Sequence, residues 1–198
     1  RDINRHTKLL QSNEKHFLSI RLGGRPRTIE RQTHDYYSLC QNNGATNIEK
    51  IDESSSDNFW QKLADFGWDE SMKPVVVSRI SLLPSRIADL TKALKKLNHT
   101  DDLHPAILAH PGYGSVMMNW FADSESLDFE NIARLLSEAR DTVHRLKGRM
   151  IIEQCPSEIK AQFDVWDCIG ESLFIMRSMK KQYDPTGILN PGRFAGGI

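Results

Sequence analysis

Two arginines stand inside segments that otherwise read as apolar strands. Arg21 interrupts Leu18-Ser-Ile-Arg-Leu22, and Arg79 interrupts Val77-Ser-Arg-Ile80. A guanidinium is a planar fork that grips a carboxylate through two parallel hydrogen bonds, so either residue can anchor an acid substrate. The competing role is a solvent-facing arginine that covers the polar side of a sheet. Among seven histidines, His99, His104 and His110 lie close in sequence. On a strand, His104 and His110 share a face but stand about 20 Å apart at ~3.3 Å per residue, too far for one ion. Ordinary hydrogen-bonded histidines are the simpler reading. Cys40, Cys155 and Cys168 form no Cys-x-x-Cys pair, which excludes a zinc ribbon and a disulfide framework and suits reduced cytosolic thiols.

Self-contained catalytic motifs are missing. Gly23-Gly24 follows an apparent strand, but the remaining glycines of a dinucleotide fingerprint are absent. There is no phosphate loop and no His-Glu-x-x-His pair. Gly112-Tyr-Gly-Ser-Val116 does not fit a serine nucleophile elbow.

The elements that must position these residues follow from periodicity. Arg1 to Lys15 is a polar lead-in segment. His16 to Gly23 alternates like a half-buried strand, Pro26 opens a helix to about Gln41, and Ala45 to Ile51 returns as a strand. Asp52 to Asp57 reads as a loop, followed by a helix over Phe59 to Phe66. Pro74 to Leu83 is the strongest strand. Pro84-Ser85 opens a helix carrying Ile87, Leu90, Leu94 and Leu97. His104–His110 and Ser115–Ala122 are strands joined by Pro111-Gly-Tyr-Gly114, as in an antiparallel hairpin. Asp128 to Leu146 is an amphipathic helix, Met150 to Glu153 a strand, and Ile169 to Tyr183 the last helix. From Ile188 the tail lacks regular structure.

The strand–helix–strand unit thus appears about three times. With the hairpin it implies an α+β fold: a mostly antiparallel sheet, helices on one face, and ferredoxin-like βαβ units. The domain reading is a lead-in 1–15, a body 16–183 and a tail 184–198. Composition agrees with a folded protein: 198 residues, 39% hydrophobic, 26 basic against 26 acidic side chains. The balanced charge speaks against a nucleic-acid partner, and no apolar run is long enough for a membrane span.

The tail carries the most specific pattern. Lys180-Lys-Gln-Tyr-Asp-Pro-Thr-Gly-Ile-Leu-Asn-Pro-Gly-Arg193 resembles the C-terminal signature of FAD-linked oxidases of the vanillyl-alcohol-oxidase superfamily. Leu18-Ser-Ile-Arg-Leu-Gly-Gly24 and Val77-Ser-Arg-Ile-Ser-Leu-Leu-Pro84 are similar to one branch, the FAD-binding subunit of glycolate oxidase. The resemblance implies the cap domain of a longer flavoprotein that oxidises a 2-hydroxy acid and passes electrons from flavin to a further acceptor. It implies FAD held mainly by an upstream domain, with Asn190 and Arg193 near the flavin or its domain. Arg79, His110 and Arg21 become substrate-binding candidates; no catalytic residue is assigned.

A second flavin subunit and an iron–sulfur subunit are the implied partners, in a cytoplasmic assembly that meets the inner face of the membrane through them. The metal-dependent branch carries His-Ala-Gly-Asp-Gly-Asn-Leu-His, where this chain has His110-Pro-Gly-Tyr-Gly-Ser-Val-Met117. Its Gly-Glu-His-Gly is replaced by Ile152-Glu-Gln-Cys155, so no metal is expected. The competing class is a stand-alone ferredoxin-like module that binds a small ligand or a second copy of itself, without catalysis.

Overall fold

The computed structural model describes residues 16–68, 73–96, 103–122 and 127–198. The lead-in 1–15, Leu97 and His99 lie outside the described residues. The chain divides into two compact units, Asp2–Phe66 and Gly67–Ile198.

In the first unit, helix α1 spans Pro26–Asn42 with Pro26 in its first turn, as its fixed φ favours. None of its residues is buried. Helix α2 spans Glu53–Ala64 and buries Phe59 and Leu63. The acidic and serine cluster at 52–57 is therefore the start of a helix, not a loop. The Asp52 carbonyl receives Ser55 N and Ser56 N at 3.0 and 2.9 Å, and Glu53 sits where the helix dipole favours an anion. The two expected strands, 16–23 and 45–51, do not form. Alternation marks which side of a segment is apolar, but a strand also needs a ladder partner, and none reaches either segment among the described residues. Leu18 is 69% exposed as a result.

The second unit holds the sheet. Strand β1 is Val76–Ser81, β2 Leu103–His110, β3 Ser115–Ala122 and β4 Arg149–Gln154. A short 3₁₀ turn, Pro84–Arg86, leads into α3, Ile87–Leu94, between β1 and β2; α4, Phe129–Arg145, lies between β3 and β4. The sheet order is β2-β3-β1-β4 and every pair is antiparallel. This is a βαββαβ arrangement in which two βαβ units interleave, so the unit recurs twice in the sheet where the sequence suggested three. The fold is α+β, as expected.

One sheet face is apolar and takes the helices. Val76, Ile80, Val116, Met118, Trp120, Met150 and Ile152 meet Leu90 and Leu94 of α3 and Ile132, Leu135, Leu136, Ala139 and Val143 of α4. Each large side chain removed from water there stabilises the fold by about 1.5–3 kcal/mol. Helix α4 begins where the Asp128 carboxylate accepts Asn131 N at 3.0 Å.

After β4 comes a short helix the sequence did not announce, α5, Ser157–Lys160. Asp167 then ties this stretch back to the sheet, accepting Met150 N at 2.6 Å and standing 2.8 Å from His144 Nε2. Helix α6 is Ser172–Tyr183.

Candidate functional site

The second face of the sheet carries the side chains of interest, because residues of odd number on β1 and β3, and of even number on β2, point away from α3 and α4. Register places Arg79 beside Met117 of β3 and Ile151 of β4. Arg79 is not free. Its Nε donates to Glu153 Oε1 at 2.5 Å and its Nη2 to Glu153 Oε2 at 3.3 Å. The side chains are 38% and 19% exposed, so the pair is half-buried.

Glu153 lies on the same face as Arg79, two residues beyond Ile151 on β4, and a bulge interrupts the ladder beside it. Ser78 pairs with Ile152 while Val77 pairs with Gln154, leaving Glu153 as the extra residue of β4. Glu153 was not anticipated from sequence; only the alternation of Ile151 and Glu153 hinted at its face.

His110 lies on the same face at the end of β2, opposite Ser115, and its ring stacks on Tyr113 with centroids 5.2 Å apart and planes 15° apart. Two inter-strand spacings of ~4.8 Å separate the strands of Arg79 and His110, so their backbones are about 10 Å or more apart. His104 shares this face as expected but is buried, with its ring against Phe121. Arg21 belongs to the other unit, on a segment that is not a strand, where it pairs with Asp57 at 2.9 Å. Both side chains are largely exposed.

Near the middle of the same face, Asn119 is fully buried and its carboxamide makes no hydrogen bond among the described residues. Gly67 lies directly against it.

The tail is ordered by one carboxylate. Asp184 accepts Ile188 N and Leu189 N, both at 3.0 Å, which closes the turn after α6. Lys180 Nζ lies 2.6 Å from Asp184 and donates to the Leu189 carbonyl at 2.5 Å. The hydrogen bond from Lys180, reinforced by the two backbone N–H groups, holds the Asp184 carboxyl below the usual carboxylate range. Further on, Trp166 Nε1 donates to the Arg193 carbonyl at 3.2 Å, and its ring meets Phe194 edge-on at 5.1 Å. Ala195–Gly197 makes a final 3₁₀ turn.

Between α6 and the tail runs a groove of about 610 Å³, lined by Met176, Met179, Leu189, Asn190, Arg193 and Phe194 among others. The two tail residues singled out from sequence therefore share one groove. The lining residues are mostly apolar, with Lys180, Asn190 and Arg193 the polar ones. Among the described residues no three His, Cys, Asp or Glu side chains converge as metal ligands would.

Fold and tail together define a class. The chain matches the family of FAD linked oxidases, C-terminal domain, over residues 2–194, and it belongs to that family, which implies FAD as cofactor. It is similar to glycolate oxidase subunit GlcD of Bacillus subtilis (strain 168), with 23% identity over 188 residues, 93% of this chain and 40% of the relative. The chain spans about two-fifths of that relative's length.

Proposed function

We propose that this chain is the cap domain of a flavoprotein that oxidises a short 2-hydroxy acid such as glycolate. The family match over residues 2–194, ending on the tail held by Asp184, is the observation that carries this reading. In it, an upstream domain holds most of the FAD, and the body 16–183 and tail 184–198 act as cap and docking segment. The groove beside α6 contributes Asn190 and Arg193 at that boundary. Exposed Phe174, Ile188 and Leu189, at 73%, 75% and 61%, give the same region the apolar surface that a neighbouring domain covers.

Arg79 anchors the substrate carboxylate through the donors that Glu153 leaves unused, and His110 receives the hydroxyl proton as the substrate is oxidised. Bound FAD supplies the two-electron acceptor. Arg21, exposed and paired with Asp57, is a surface residue in this account. Electrons leave through partner subunits, one carrying a second flavin and one an iron–sulfur centre. The assembly is cytoplasmic and meets the membrane only through those partners; among the described residues no helix is long and apolar enough to cross one.

The test is anaerobic addition of glycolate to the natural full-length protein. Bleaching of the flavin absorbance supports the substrate class. Flavin that neither glycolate nor lactate reduces refutes it.

A further inference from the structure

Arg79 presents five N–H donors, and Glu153 takes two of them, on Nε and Nη2. The three that remain make a second edge, on Nη1 and Nη2, which carries no hydrogen bond among the described residues. One edge of the fork is therefore filled by a carboxylate of the protein itself, and one is left for a ligand. Glu153 stands two residues beyond Ile151, the β4 partner of Arg79, on the same face and next to the bulge. The pair is half-buried, with the Arg79 side chain 38% and the Glu153 side chain 19% exposed.

We propose that Glu153 determines ligand charge at this site, so that Arg79 accepts a monocarboxylate and discriminates against a dicarboxylate. The inference rests on the reading of Arg79 as the carboxylate anchor and deepens it. A ligand's first carboxylate takes the open edge of the guanidinium. A second carboxylate on a two- or three-carbon acid then lies within a Debye length, about 8 Å, of the Glu153 charge. In this half-buried setting the repulsion is screened less than it would be in water. A neutral group in the same position meets no such repulsion. The site thus selects short 2-hydroxy monocarboxylic acids over their dicarboxylic counterparts.

Oxamate and oxalate form a suitable pair of probes. They have nearly the same shape, differ by one charge, and carry no hydroxyl to oxidise. Calorimetric titration of the natural full-length protein, flavin bound, should show wild type preferring oxamate. Glu153→Gln should shift the oxamate-to-oxalate ratio toward oxalate by about tenfold, equivalent to roughly 1.4 kcal/mol. Glu153→Ala should shift it in the same direction, which separates charge from any local rearrangement in either variant.

A purely structural Glu153 would weaken both ligands alike, and an unchanged ratio in both variants overturns the proposal. Arg79→Ala distinguishes the underlying reading. Loss of both ligands in that variant upholds Arg79 as the anchor, whereas wild-type affinity for both overturns the anchor and the proposal with it.

Discussion

Replacing Gly67 by alanine should destabilise the protein through two separable effects. Gly67 has φ of +91°, in the region that L side chains rarely adopt. Forcing alanine into it costs about 1 kcal/mol or more. The added Cβ would stand 2.2 Å from Asn119 Nδ2 and 2.9 Å from its Cγ. Asn119 is fully buried, so its carboxamide has no open space to swing into, and overpacking of this kind costs about 1–3 kcal/mol. Together the loss is about 3 kcal/mol, a fall in melting temperature of roughly 6–12 °C for a chain of this size.

The two terms can be separated. The three nearest neighbours of that Cβ all belong to the Asn119 side chain. Asn119→Ala should therefore recover about 2 kcal/mol in the Gly67→Ala background, leaving the φ cost behind. Alone, Asn119→Ala should stay within about 1 kcal/mol of wild type, because it removes a buried carboxamide that has no partner. Thermal melts of the four proteins complete the cycle. A Gly67→Ala protein that melts with wild type, or a double variant no more stable than Gly67→Ala, would refute the reasoning.

Arg79→Ala should weaken binding of a carboxylate ligand by about 10- to 100-fold, the value of a charged hydrogen bond, while Arg21→Ala leaves it unchanged, by calorimetry on the full-length protein. Asp184→Asn should release the turn after α6, seen as faster hydrogen exchange at the Ile188 and Leu189 amides with the sheet amides unaffected. The Asp184 carboxyl titrates below its unfolded value, so its hold on the tail is complete above about pH 4 and fades as pH falls through the lower folded value. Exchange at those two amides should rise with acidity in that window more than simple exchange chemistry predicts. Prolonged dialysis against a chelator should leave turnover of the full-length protein intact; loss restored by a divalent metal would contradict the metal-free reading of Met117 and Gln154.

Elements whose own residues dictate them are legible in the sequence. The apolar stripe of Asp128 to Leu146 marks α4, and Pro111-Gly-Tyr-Gly114 marks the β2–β3 hairpin, whereas the Asp128 cap and the hairpin register emerge only in the structure. Failures came where a partner decides the outcome. Segment 16–23 alternates like a strand and 45–51 reads as a returning strand, yet neither finds a ladder among the described residues, and the acidic serine run opens a helix at Glu53 with Asp52 before it.

Of the candidate site, the sequence shows single residues and not their pairings. Arg79 and His110 share the sheet face that strand periodicity assigns them, and Asn190 and Arg193 share one groove. Alternation along β4 gives the face of Glu153, but its pairing with Arg79 depends on the β1–β4 register, which no local signal shows. Asp167, which joins β4 to the end of α4, sits in an irregular stretch whose contacts no periodicity can reveal.

The visible absorption spectrum of the natural full-length protein tests the central claim most directly. Flavin bands that survive gel filtration are expected, with residues 1–198 expressed alone colourless and inactive. A full-length protein without flavin, or catalytic turnover by residues 1–198 alone, would contradict it.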